Sequence, residues 1–541
     1  MFKSKVAIAL LAISILPFSG FSQSTGDKAP ANWYNLDYKT DKVMGISTEK
    51  AYDLLKGKKS TPVIVAVIDG GVDVNHEDLK DVLWINEKEN TKSSKDGNNN
   101  GYIGDKYGWN FIGNANGENV NYDNLEVTRQ IALFEPKYQS VLPSTKLSAK
   151  ERREFVAYQK MVADYATKME EAQFGELNYL KLKENVDKII KAIAKEPKDI
   201  TKKDLDDYQA NSDSEKLALR VAKKEADKTS FNDFYKDIIE ATEYFTAQTK
   251  YHLNKDYDSR VIVGDDYNDA SERYYGNPDV KGPDASHGTH VAGIIAAKRN
   301  NGIGINGVAD NAKIMSIRVV PNGDERDKDV ANGIRYAVDN GAKVINMSFG
   351  KGYVYNKATV DEAVKYAMEN DVLLIHAAGN DGNDIDITPN FPTKYFTDED
   401  DAITGEAPNW ITVGATSWKL DDGLLADFSN YGYKSVDVFA PGVEIYSTMP
   451  ENEYKVQQGT SMAAPVVAGL AAILRSYYPE LTAKEVKDII LNSVTKVDKK
   501  VKIKKEGSTK KVYLDEISVS GGIVNAYNAI VEANKYIANK K

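Results

Sequence analysis

The chain has 541 residues, 42% of them hydrophobic and 28% charged, enough apolar material for a full-size core and too much for global disorder. Its 80 acidic residues outnumber 70 basic ones, and the formal net charge of -10 argues against nucleic acid as a partner. With no cysteine, disulfides, thiolate nucleophiles and zinc–cysteine sites are excluded, and imidazole chemistry must come from His76, His252, His287, His290 or His376.

Lys3 and Lys5 precede an apolar run, Val6–Leu16, broken only by Ser14, and small residues follow at Gly20 and Ser22. This pattern predicts an export signal over residues 1–22, cleaved before Gln23. The run is too short to span a bilayer, and no later stretch is long and apolar enough for a transmembrane helix. The mature protein is expected outside the cytoplasm, periplasmic or secreted. Residues 23–58 read as an N-terminal extension.

Two textures follow. Residues 59–123 and 257–541 are rich in Gly, Asn and short Val/Ile runs, whereas residues 124–256 are Lys/Glu-rich and nearly free of glycine. In the first texture, Val63–Ile68, Ile314–Val320, Val344–Met347, Val372–Ala378 and Ile411–Val413 read as buried strands. Helical patterns over Asp329–Asn340 and Thr359–Asn370 lie between strands. Such alternation predicts an α/β fold with a mostly parallel sheet flanked by helices, and ligands bind such sheets beyond the carboxyl ends of the strands. In the second texture, Phe155, Tyr158, Val162, Tyr165 and Met169 form one apolar stripe, and Leu182, Val186, Ile189 and Ile193 another. Ser148 with Glu151 and Ser230 with Asp233 are helix-start signals. An all-helical insertion over 124–256 is expected.

Four segments carry chemistry, each ambiguous alone. The Val63–Ile68 run ends in Asp69 and a glycine pair, so a carboxylate stands at a strand's mouth, where a turn-forming Asp is the plain alternative. His287-Gly-Thr-His-Val-Ala-Gly293 opens a helix with an imidazole. The strand Val372–Ala378 runs into Gly379-Asn380, whose side-chain amide is able to donate to an oxyanion. Gly459-Thr-Ser461-Met-Ala-Ala-Pro465 sets a hydroxyl at the positive end of an apolar helix, a place that also suits a simple capping serine.

Together these motifs, in the order Asp, His, Asn, Ser, resemble the subtilisin-like (subtilase) serine proteases. The resemblance rests on Val67-Ile-Asp69-Gly-Gly-Val-Asp73, on the His287 and Ser461 motifs and on Ala377-Ala-Gly-Asn380. It implies the three-layer fold of that family and an endopeptidase acting on polypeptide substrates through an acyl-enzyme. In it Ser461 is the nucleophile, His287 its base, Asp69 the orienting carboxylate and Asn380 the oxyanion donor. It also implies that Ser348-Phe349-Gly350 binds substrate backbone as an added strand. No cofactor is required for the chemistry. A structural calcium is allowed at Asp78 and Asn301, whose loop resembles the family's calcium loop, and Asp96-Gly-Asn98-Asn-Asn100-Gly101 resembles the start of a second. Asp384 and Asp386, after the oxyanion Asn, are candidates for attracting basic side chains.

Two rivals remain. An esterase would use the same triad. A binding protein with an inactive fold would rely on the helical insertion instead. The insertion separates Asp69 from His287 by 218 positions, so its ends must lie close together if those two residues meet.

Overall fold

The computed structural model describes residues 28–89, 95–142, 144–398, 400, 402–505 and 507–540. The export-signal reading of residues 1–22 lies outside them. By its contacts the chain divides into two compact units, residues 162–254 and residues 29–161 with 255–541.

The larger unit is built on a nine-stranded sheet. In spatial order the strands are Thr495–Lys496, Gly522–Ile523, Val438–Pro441, Trp410–Thr416, Leu373–Ala377, Val344–Met347, Val63–Asp69, Ala312–Arg318 and Gly108–Asn110. Every neighbouring pair is parallel except the first, which is antiparallel. Strand Val63–Asp69 shows why both faces must be covered. Val63, Val65 and Val67 join a core with Val291, Ile294, Val466 and Leu470, while Ala66 and Ile68 join another with Ile334, Ala337, Val360 and Val364. Side chains alternate across a strand, so a continuous apolar run needs helices on both sides. One face receives helices Ser286–Ala296 and Thr460–Tyr477, and the other receives Asp327–Asp339 and Lys357–Glu369. The result is a three-layer α/β architecture.

The strands expected from apolar runs are present within a few residues of their anticipated bounds. The additional sheet members are only two to four residues long, too short for a periodic signal. The described part of the 23–58 extension is integral to this core. Trp33, Tyr34 and Ile46 are fully buried in it, and helix Thr48–Leu55 packs Ala51 and Leu55 among Ala529, Ile530 and Ala533 of helix Ala526–Lys540.

The smaller unit is all helical. Its core gathers Val186, Ile189, Leu205, Ala218, Ala222, Phe231, Phe234 and Ile238. Ser230 Oγ accepts from Asp233 N at 3.0 Å, the cap expected for helix Phe231–Ala247. Tyr165 Oη donates to Leu253 O at 2.7 Å, so this unit's entry and exit lie side by side. Residues 124–161, which the composition groups with the helices that follow, belong by contacts to the larger unit. Helix Glu126–Tyr138 begins with Glu126 and Arg129 tied to Asp324 and Glu325, an arrangement that a Lys/Glu-rich composition does not reveal.

Candidate active site

Asp69 is the last residue of its strand and 2% exposed. Its Oδ1 accepts from Gly70 N at 2.7 Å. His287, second residue of helix Ser286–Ala296, brings Nδ1 to 2.8 Å from Asp69 Oδ1 and 3.0 Å from Oδ2. A carboxylate facing Nδ1 fixes the proton there and leaves Nε2 as the free acceptor. The His287 side chain is 43% exposed. Burial works against its charged form, but the charge and hydrogen bond of Asp69, with Asp284 beyond, outweigh it and raise the pKa above the ordinary 6.5.

Ser461 is second in helix Thr460–Tyr477, whose all-round burial fixes the helix start. Its Oγ donates to Ser348 O at 3.0 Å, and Ser348 Oγ donates back to Ser461 O at 2.9 Å. Among the described residues no hydrogen bond joins Ser461 Oγ to His287; the hydroxyl rests on the Ser348 carbonyl instead. The sheet register brings the two near each other. Ile68 lies opposite Met347 on the adjacent parallel strand, so Asp69 ends one strand and Ser348 directly follows the end of its neighbour, the two strands being about 4.8 Å apart in such ladders.

Asn380 Oδ1 accepts from Thr460 N at 2.9 Å and from Thr460 Oγ1 at 3.0 Å. This turns the Asn380 carboxamide so that Nδ2 faces outward. Nδ2 lies 3.5 Å, and Ser461 N 3.6 Å, from the point where Gly459 would carry a Cβ. Two N–H donors therefore border one space that glycine leaves empty. Ser461 N, in the first helical turn, has no intrahelical acceptor. Thr460 is a site residue that sequence reasoning passed over although it sits inside the Gly459-Thr-Ser461 motif.

Ser348 is held by Asn346 Nδ2 at 2.9 Å, and the Phe349 ring meets the His376 ring edge-on with centroids 6.5 Å apart. Gly350 faces Asn390, whose amide nitrogen lies 2.4 Å from the Cβ position of Gly350. Asn390 also donates to Ala377 O at 3.3 Å, and so stands between the Ser348–Gly350 segment and the turn that carries Asn380. Nothing in the sequence pattern marks it.

The remaining histidines do other work. His290 Nε2 is 3.1 Å from both Ile445 O and Lys455 O, and burial pushes its pKa down to about 3, so it is a neutral packed residue. His376 is likewise pushed down to about 4 by burial. His252 is 3% exposed within the helical unit. Asp384 and Asp386 are committed elsewhere. Asp384 Oδ2 faces Lys505 Nζ at 3.5 Å, and Asp386 accepts from the amides of Lys434 and Ser435.

Asp78 and Asn301 do meet: Asn301 Nδ2 donates to Asp78 Oδ1 at 2.6 Å, and Ile305 N to Oδ2 at 3.3 Å. Both carboxylate oxygens already face N–H donors, and no group of three or more His, Asp or Glu able to hold an ion occurs among the described residues. Calcium takes six to eight oxygens, so a site at Asp78 and Asn301 would need the loop's backbone carbonyls to complete it. In the second loop Asp96 accepts from the amides of Asn98, Asn100 and Gly101, which closes a turn around its own carboxylate.

The sequence pattern described as Subtilase family matches residues 60–510. A thermophilic serine proteinase of Bacillus sp. (strain AK1) is 42% identical over 226 residues, 42% of this chain and 49% of that protein. Thermitase of Thermoactinomyces vulgaris is 42% identical over 212 residues, 39% of this chain and 68% of thermitase. Subtilisin E of Bacillus subtilis (strain 168) is 39% identical over 215 residues, 39% of this chain and 51% of that protein. The chain thus spans about half the length of two of these relatives. Among the described residues no helix is long and apolar enough to cross a membrane.

Proposed function

Because the chain belongs to the subtilase family, we propose that it is a serine endopeptidase hydrolysing polypeptides outside the cytoplasm, its mature form starting at Gln23. The observation that carries this reading is the His287 Nδ1–Asp69 pair at 2.8 Å, beside a strand end that holds Ser461.

A substrate backbone lies along Ser348–Gly350 as an extra strand. Rotation about the Ser461 Cα–Cβ bond takes Oγ off the Ser348 carbonyl and toward His287 Nε2. A serine hydroxyl is a weak nucleophile until a base removes its proton. Oγ attacks the carbonyl carbon as Nε2 takes the proton, and the carbonyl π pair moves onto oxygen. Asn380 Nδ2 and Ser461 N donate to that oxyanion, where a preorganised donor is worth most. Asp69 keeps the ring in the right tautomer and stabilises the imidazolium. As the C–N bond breaks, the imidazolium gives its proton to the leaving amine. Water then attacks the acyl-enzyme by the same route, releasing the acid and restoring Ser461. Each role is filled by a side chain or amide of the chain itself.

Treatment with a sulfonyl fluoride should label Ser461 and abolish peptide hydrolysis. Ser461→Ala should lower kcat by roughly 10⁶-fold, the general scale for loss of a triad nucleophile. A well-folded chain that neither reacts nor cleaves peptides would favour a binding protein.

A further inference from the structure

We propose that Asn430, buried beneath the oxyanion turn, is a positioning residue that fixes the turn's backbone so that Asn380 Nδ2 addresses the developing oxyanion; the proposal rests on the peptidase reading above. The sheet cannot do this alone. Ala378 N donates to Val413 O at 2.9 Å, and there the ladder of strand Leu373–Ala377 ends. The chain then reverses through Gly379, at φ 98°, a conformation that side-chain-bearing residues rarely adopt.

From that point the turn is wrapped around one side chain. Asn430 Nδ2 donates to Ala378 O at 2.9 Å. Asn430 Oδ1 accepts from Asp381 N at 3.1 Å and from Asn383 N at 2.8 Å. Asn430 N donates to Gly379 O at 2.9 Å. Residues 378, 379, 381 and 383 are thus all tied to residue 430, and Asn380 is the member between them whose side chain is left to work. The fit is close, since Asn430 Nδ2 lies 2.4 Å from the Cβ position of Gly379. Asn430 is 1% exposed, so it acts through the turn and not on substrate.

The chemistry demands a carboxamide. One donor must reach a carbonyl while one acceptor collects two amides, and both must sit on a short planar group. Serine or alanine supplies neither span, and aspartate loses the donor. Thr460 sets the Asn380 carboxamide from the opposite side, through Asn380 Oδ1 and through Gly379 N, which donates to Thr460 Oγ1 at 3.1 Å. The oxyanion donor is therefore aimed by two elements, the helix start at Thr460 and the buried Asn430. A preorganised donor counts chiefly in the transition state, so its misplacement should appear in turnover and not in binding.

A double-mutant cycle on the full chain, read with a short chromogenic peptide, tests this. Asn430→Ala should lower kcat by about 10–100-fold, as small misplacements of catalytic groups do, while KM changes less than about threefold. In an Asn380→Ala background, where the aimed group is gone, the same change should cost less than about a further twofold in kcat. An undiminished loss in that background, or a loss carried by KM, overturns the assignment. Should Asn430→Ala not fold, Asn430→Asp, which keeps both accepted amides and turns a charged acceptor toward Ala378 O in place of the donor, is read in the same cycle with the same criteria. A wild-type chain that cleaves no peptide sinks the peptidase reading and this proposal together. An active wild type with additive losses sinks this proposal alone.

Discussion

Asp69 does two jobs whose pH dependences oppose each other. Its charge raises the His287 pKa against burial, so the imidazolium is favoured over a wider range. Catalysis needs the neutral ring, and peptide turnover should therefore fall as pH drops through a midpoint above the ordinary 6.5 of histidine. Asp69→Asn should move that midpoint down and depress the plateau, which a pH profile of kcat/KM checks; an unmoved midpoint would refute the pairing. Stability runs the other way. A raised pKa means the folded state holds the proton more tightly than the unfolded chain. That contribution is full below the unfolded value and lost as pH rises through the folded one. At this scale Asp69, His287, Asn380 and Ser461 stand out in the sequence because each lies in a short motif at an element's end. Asn390 and Asn430 do not, because their meaning lies in glycines and carbonyls tens of positions away.

Helices and strands explain the precision of the site. Two fully packed helices, Ser286–Ala296 and Thr460–Tyr477, each present their second residue to the ends of neighbouring strands. Apolar runs and Gly-rich boundaries announced these elements. What they did not announce is how the Ser348–Gly350 segment is anchored one residue beyond Gly350. Lys351 is 1% exposed, with Nζ 2.9 Å from Glu126 Oε2, 2.8 Å from Asp327 Oδ1 and 2.8 Å from Glu325 O. Lys351 thereby joins the starts of helices Glu126–Tyr138 and Asp327–Asp339 to the Ser348–Gly350 segment. Removing one partner of a buried ion cluster leaves the others charged and desolvated. Lys351→Met should cost about 3–5 kcal/mol in denaturant unfolding, against under about 1 kcal/mol for an exposed lysine. A loss of the smaller size would mean that water reaches the cluster. Composition alone could not reveal it, since a lysine and a glutamate 225 positions apart look like two surface charges.

The whole chain combines an α/β unit with an all-helical unit at residues 162–254. Its two ends are joined by the Tyr165–Leu253 hydrogen bond, so replacing the unit with a short Gly/Ser linker bridges a small gap. The shortened protein is expected to keep its hydrolysis of short peptides while its rate on large folded proteins changes; equal effects on both would deny the unit any part in substrate handling. The sequence separated the two textures well, but drew the boundary by charge content, and buried pairs such as Glu126–Lys351 defeat that criterion.

The early segment around Trp33–Ile46 has a temporal consequence. Trp33 Nε1 donates to Glu444 O at 3.1 Å, and the Ile46 carbonyl accepts from Ala526 N at 2.7 Å. What a ribosome makes near the beginning therefore finds its resting place only against what it makes hundreds of residues later. Closing so wide a loop is slow. Until the late partner emerges, Trp33 and Tyr34 lack the surface that buries them in the finished fold.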